Sequence, residues 1–505
     1  MGEIRAADKV RPAKPRTTAQ VHLPDGRLLE GPLGTTLEAY LRAWGGTGPA
    51  PAVAALVDGK LRELCYAVMK DCAVTPVTIA SSDGMRIYQR ALSFLLVVAA
   101  HELFPEAEVI IDHSLTLSGL FCEVRRDAPL TAADVKRLEE RMRAIVAADE
   151  PIQRRRVTLA EAEAIFRKQG YDDKVRLLPY RQKEYLTIYE LRGLADYYYG
   201  YMVPSTGYLQ YFALRLCPPG LILLFPRPET PTLLPEVRSY PRLAGVFREY
   251  QEWLDLLNVG DVAGLNEAIA SGRMREVVLV AEALHAQRIG ELANEIVRRH
   301  QQVRIVLIAG PSSSGKTTFA KRLAIQLIAN GVHPLALGID DYFVDREHTP
   351  LDGNGAYDFE SLDAVDRTLL NRQVGELLAG RTVHLPHYDF ATGRRNGGRD
   401  ARIAPAGIIL AEGIHALNPE LLPDLRPEQI MRIYISALTQ LNIDHHNRVP
   451  TTDTRLLRRI VRDAQFRGYT AQATIQRWES VTRGERRNIY PYQEEADAMF
   501  NSALV

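Results

Sequence analysis

A chain of 505 residues exceeds what one hydrophobic core usually organises, and at about 150 residues per domain it predicts roughly three domains. Its 46% apolar and 25% charged content excludes disordered, collagen-like and membrane classes. Lys plus Arg balances Asp plus Glu at 62 each, so no overall positive field draws in nucleic acid or acidic membrane.

Residues 1–18 are basic and rich in Pro and Ala, and read as a disordered arm without the apolar core of a signal peptide. Val21 to Pro24 before Asp25-Gly26, and Ala54 to Val57 before Asp58-Gly59, give strand-turn signals of a small sheet-rich module over 19–80. Arg86 to Leu103 predicts a long buried helix ended by Pro105. Val109 to Asp112 and Leu120 to Val124 predict strands; Thr131 to Ala147 predicts an amphipathic helix capped by Thr131 with Asp134 three residues on. Residues 81–225 form a second mixed domain, and Pro226, Pro228, Pro231 and Pro235 open a connector that turns helical over Val259 to His300. From Val303 strands and helices alternate, so 301–505 predicts an α/β domain with a mainly parallel sheet after a multidomain α+β half. Cys65, Cys72, Cys122 and Cys217 lack zinc spacing and suit a reducing cytoplasm. The apolar ending Asn501 to Val505 suggests a chain that continues.

The chemistry sits in the last domain. The β-branched run Arg304 to Ala309 leads into Gly310-Pro311-Ser312-Ser313-Ser314-Gly315-Lys316-Thr317-Thr318 and then a helical segment, the strand-loop-helix context of a Walker A phosphate loop. Its backbone N–H groups and helix N-terminus suit phosphate oxygens, Lys316 the terminal phosphates, and Thr317 a magnesium ion. Leu335 to Ile339 predicts a strand ending at Asp340-Asp341, and Gly407 to Ala411 one ending at Glu412-Gly413. In a parallel sheet both ends face the phosphate loop, so one acid can orient magnesium while the other accepts a hydroxyl proton. The plainer alternatives are a helix cap at Asp340 or Asp341 and a solvated turn at Glu412. Arg455, Arg458, Arg459 and Arg462 share one helical face, with Arg467 beyond, and could close over ATP; the plainer alternative is a solvated charged face. Asp444-His445-His446-Asn447 invites a metal site, but adjacent loop residues rarely converge on one ion.

These motifs resemble the uridine kinase and phosphoribulokinase group of P-loop kinases over about 303–505. The resemblance implies Asp340 of Asp340-Asp-Tyr342-Phe343 as catalytic base, Asp358 of Ala356-Tyr357-Asp358-Phe359 on the acceptor sugar, and Tyr388 of Pro386-His387-Tyr388-Asp389-Phe390 in the acceptor site. It places Glu412 with Thr317 and Asp340 at the metal, and the lid from Asp453 to Gly468 over the phosphates. Lys316, Arg455 and Arg462 then act on the transferred group, Arg459 on ATP, and Arg395 and Arg467 on the acceptor. Where uridine kinases carry a base-reading His in a Thr-His-x-Arg stretch, this chain has Thr392-Gly393-Arg394-Arg395. A lost hydrogen-bonding group lowers discrimination at that edge.

Residues 19–215 resemble the amino-terminal portion of threonyl-tRNA synthetase, through Val21 to Gly26, Val57 to Gly59, Leu103 to Pro105, Gly119 to Phe121, Glu139 to Met142, Pro151-Ile152 and Val203 to Thr206. In the synthetase the second of these domains edits with one His-x-x-x-His pair and one Cys-x-x-x-His pair; Arg90, Phe94, Tyr198 and Met202 stand at those four positions here, so no zinc is expected. The tyrosines Tyr197, Tyr198, Tyr199 and Tyr201 could stack a base, though such clusters more often pack. The resulting expectation is an ATP- and Mg2+-dependent kinase of a small-molecule hydroxyl, first a nucleoside 5′-hydroxyl, alternatively a sugar or sugar phosphate, in a cytoplasmic homo-oligomer without membrane contact. An RNA-binding regulator with a P-loop switch is the rival of another class; tRNA or RNA is the less favoured partner.

Overall fold

The computed structural model describes all residues except 1–14, 47, 116–118, 237–239, 352, 354, 356, 391, 439–440 and 504–505. Most of the expected N-terminal arm and the chain's last two residues lie outside this set. The chain divides into two compact units, Met1–Val237 with His445–Asn447, and Arg238–Asp444 with Arg448–Val505. Among the described residues no helix is long and apolar enough to cross a membrane.

The first unit begins with a five-stranded sheet in the order Leu28–Pro32, Thr18–His22, Cys72–Thr78, Ala52–Val57, Lys60–Glu63. Both turn signals act as the sequence predicts. Asp58 and Gly59 take positive φ of 48° and 76°, which matches the strand twist of a two-residue hairpin pairing Val57 with Lys60. The buried helix is Ser82–Leu103, one turn longer at its start than expected, because the Ser81 hydroxyl caps Gly84 N. Gly84 fits there because a Cβ would lie 2.0 Å from Thr78 O. The helix Ala132–Ala148 carries the predicted capping box between Thr131 and Asp134. A four-stranded antiparallel sheet and a three-stranded sheet complete the unit.

Of the four positions aligned with the synthetase ligands, three are buried and Arg90 is partly buried. Phe94 and Tyr198 meet edge to face at 5.5 Å between ring centroids, Met202 is buried, and Arg90 donates to Tyr201 O at 2.7 Å. Of the tyrosine cluster, Tyr197 and Tyr198 are buried, with Tyr197 against Phe166, while Tyr199 is exposed. Of the histidine run, His446 Nδ1 lies 2.6 Å from the buried Asp196 carboxylate, which also holds Lys174 Nζ at 3.0 Å. There the buried Lys174 and Asp196 match one another's charge away from water, with the His446 ring hydrogen-bonded to the same carboxylate.

The second unit opens with helices Pro241–Leu257, Val262–Ala270 and Met274–Arg299. The expected single helical stretch from 259 is broken at Ser271-Gly272, where Gly272 has φ +77°. Nor is the last helix a free connector. Ile289, Leu292, Ala293 and Ile296 share a core with Val306, Ile308, Phe319 and Leu323, so the stretch before 301 builds the same core as the P-loop strand. The sheet runs Pro334–Gly338, Ile408–Glu412, Ile305–Ala309, Ile430–Ser436, Ala498–Asn501, and every neighbouring pair is parallel. The central strand Ile305–Ala309 is buried throughout, as its continuous apolar run requires between two covered faces.

Candidate active site

The phosphate loop leaves the C-terminal end of the central strand. A Cβ on Gly310 would lie 1.9 Å from Ile435 O, so only glycine lets the chain pass the neighbouring strand. Ser313 and Gly315 take positive φ of 60° and 93°, and the helix Lys316–Ala329 starts directly from Gly315. Lys316 Nζ donates to Gly310 O at 2.8 Å and Pro311 O at 3.2 Å, which holds the ammonium across the loop. Burial lowers its pKa, and Asp340 and Glu412 pull it back.

Parallel register brings the acids to the same end. Glu412 pairs in register with Ile308 on one side and Gly338 on the other, and its Oε1 accepts from Thr317 Oγ1 at 2.6 Å. Asp340 follows Gly338 in a short 3-10 turn, Ile339–Tyr342. Burial raises its carboxyl above the usual range, Lys316 lowers it, and Glu412 raises it again, so Asp340 shares its surroundings with both. Asp341 points to another segment. Its Oδ1 accepts from Tyr388 N at 3.2 Å and lies 3.0 Å from His387 Nδ1. Thr317, Glu412 and Asp340 offer hard oxygen donors of the kind magnesium takes.

The lid helix Thr451–Phe466 keeps Arg455, Arg458, Arg459 and Arg462 buried or partly buried and leaves Leu457 and Val461 more than half exposed, which does not fit the plainer alternative of a solvated charged face. Arg459 Nη1 donates to Ser312 Oγ at 2.8 Å. Asp463, buried, gathers Arg459 at 3.3 Å, Arg462 at 2.8 Å and Arg467 at 3.9 Å. Arg455 corrects the sequence expectation. Instead of facing transferred charge it is 1% exposed and bound bidentately by Glu485 at 2.6 and 2.8 Å, with Tyr490 Oη at 3.2 Å. Glu485 Oε1 also accepts from Ser312 N at 2.8 Å, so the pair fastens the phosphate loop to the helix Ala471–Asn488. Helical spacing places Arg455 on the right face, but at the first turn that face points into the protein.

On the acceptor side, Asp358 Oδ1 accepts from Glu360 N at 3.2 Å, and its Oδ2 lies 3.8 Å from Arg487. Tyr388 is buried against Phe343 and Phe390, and among the described residues its hydroxyl has no hydrogen-bond partner. Arg395 is held by Asp366 at 3.0 Å, and Arg467 sits 5.6 Å from the centroid of the half-exposed Phe390 ring. Gly393, at the base-reading position, has φ +72° with Arg346 packed over it; a Cβ would lie 2.6 Å from Arg346 Nε. Sequence spacing missed Glu485, Asp463 and Glu360. Only their acidity in an arginine-rich segment, or two residues after Asp358, could have marked them.

Residues 305–504 match the model of the Phosphoribulokinase / Uridine kinase family. The other half matches elsewhere. It is 32% identical over 199 residues to the threonine–tRNA ligase of Symbiobacterium thermophilum, covering 39% of this chain and 30% of that protein. It is 33% identical over 199 residues to the threonine–tRNA ligase of Pelobacter propionicus, covering 39% and 31%. The chain thus spans under a third of the length of these curated relatives. A solved structure of a possible uridine kinase from Bacillus stearothermophilus aligns at 19% identity and a TM-score of 0.25, over 42% of this chain and 97% of that one. In its C-terminal region this chain carries the Phosphoribulokinase / Uridine kinase family match, and its N-terminal region of about 200 residues matches threonine–tRNA ligase.

Proposed function

We propose that the second unit transfers the terminal phosphoryl group of ATP to a hydroxyl of a small molecule, first a nucleoside 5′-hydroxyl, while the first unit supplies binding rather than chemistry. The observation that carries this reading is the convergence of Lys316, the Thr317–Glu412 hydrogen bond and Asp340 at one end of a parallel sheet. The acceptor oxygen bonds to the γ-phosphorus as the bond to the ADP oxygen breaks, and the hydroxyl proton passes to Asp340. Magnesium, held by Thr317, Glu412 and Asp340, would neutralise charge on the phosphates. Lys316 offsets charge on the γ-phosphoryl group, Arg459 reaches the phosphate loop from the lid through Ser312, Arg462 is poised on Asp463 in the same helix to act on the transferred group, and Arg455 keeps the loop in shape through Glu485.

A second reading, with a non-nucleoside alcohol as acceptor, is favoured by Arg346 occupying the space beside Gly393. ADP release with nucleosides, sugars and sugar phosphates decides between them. Lys316→Ala is expected to stay folded and lose turnover at least about a hundredfold; near-normal turnover would remove the phosphate loop from the mechanism.

A further inference from the structure

Glu360 has no place in the motifs above, yet its surroundings are those of the site. Its side chain lies against Gly484 of the helix Ala471–Asn488: a Cβ on Gly484 would stand 2.4 Å from Glu360 Cβ, 2.6 Å from Cγ and 3.4 Å from Cδ. The missing side chain at 484 is what lets Glu360 lie flat on that helix. The backbone is fixed on both sides. Glu360 N donates to Asp358 Oδ1 at 3.2 Å, and Glu360 O accepts from Asn488 Nδ2 at 2.5 Å. Among the described residues nothing hydrogen-bonds the carboxylate itself. The residue after Gly484 is Glu485, whose carboxylate accepts from Ser312 N at 2.8 Å, so Glu360 lies on the helix beside the residue that holds the phosphate loop, and the charges of Glu485, Arg459, Asp340 and Lys316 all act on it. Burial, then Glu485, pushes its carboxyl up to about 7. A partly buried carboxylate without a protein partner takes its hydrogen bonds from water, and a ligand hydroxyl can replace that water.

We infer that Glu360 is an acceptor-binding residue: its carboxyl group hydrogen-bonds a second hydroxyl of an uncharged polyhydroxy acceptor, next to the hydroxyl that Asp340 deprotonates. This rests on the kinase reading above and narrows its substrate class. Asp340, Asp358 and Glu360 give the acceptor side three carboxyl groups, which suit vicinal hydroxyls as hydrogen-bond donors and repel an acceptor that already carries a phosphate.

The test uses the full chain with Mg·ATP, reading ADP release with two sets of acceptors: nucleosides, free pentoses and cyclitols in one, pentose phosphates in the other. Glu360→Ala, Glu360→Gln and Gly484→Ala are then compared on the acceptor turned over fastest. An uncharged acceptor is expected to lead. In Glu360→Ala its KM should rise at least about tenfold while the KM for ATP stays within about twofold. Glu360→Gln, which keeps the fit against Gly484, should shift the same way by less. Gly484→Ala should reproduce the loss, because the new Cβ displaces the Glu360 stem on a helix that alanine otherwise favours. A preference for pentose phosphates, an unchanged acceptor KM in Glu360→Ala, or no turnover of any uncharged acceptor overturns the inference. ADP release equally fast in Lys316→Ala overturns the kinase reading instead.

Discussion

The two units use clustered interior side chains in opposite ways. In the first, Phe94 and Tyr198 pack ring edge to face, Met202 is buried, and the Arg90 guanidinium is held by a backbone carbonyl. In the second, Lys316, Thr317, Asp340 and Glu412 gather polar groups at one end of the sheet, with burial shifting the pKa values of Lys316 and Asp340 toward neutrality. A core gains from filling a cleft, since each buried apolar side chain contributes about 1.5–3 kcal/mol. A catalytic site has to refuse that gain. Likeness of fold does not carry activity by itself; the polar set at the site has to be present as well.

The comparison breaks most visibly at Asp340. Asp340→Asn keeps size but cannot take a proton, so kcat should fall about a thousandfold while ATP binding, followed by calorimetry, survives. Asp341→Asn, whose carboxylate serves Tyr388 and His387, should stay within about tenfold; an inactive Asp341→Asn beside an active Asp340→Asn places the base one residue later. Arg455→Met leaves Glu485 buried without its cation, and should cost about 3–5 kcal/mol in urea unfolding. A loss confined to kcat, with stability unchanged, would return Arg455 to the chemistry.

His415, fully buried after Glu412, sharpens the comparison through pH. Burial pushes its pKa down from 6.5 to about 4, so between those values the unfolded chain binds the proton and the folded chain does not. Stability is therefore full above pH 6.5 and falls as pH drops toward 4, by about 3 kcal/mol from this group. His415→Leu should flatten that slope; an unchanged slope assigns the acid sensitivity elsewhere. The smallest effect belongs to the first unit. Elemental analysis should find no stoichiometric zinc, and a zinc chelator with magnesium in excess should leave the melting temperature unchanged; one tightly held zinc per chain would mean that the four positions are misplaced.

The sequence by itself determined what local chemistry dictates: the phosphate loop between strand and helix, the Asp-Gly hairpins, the Thr131–Asp134 capping box, and acids at strand ends that a parallel sheet turns to one side. Backbone geometry at those places depends on residues a few positions apart, so spacing reads it directly. Tertiary structure alone decided the rest. Arg455 lies thirty residues from Glu485, Glu360 meets the one glycine that leaves it room, Asp341 finds its partners beyond position 386, and the helix before residue 300 completes the core under the phosphate loop. Those outcomes turn on which distant side chain fills a given space. Periodicity tells which face of a helix is charged, but only packing decides whether that face meets the cleft, the solvent or a buried partner.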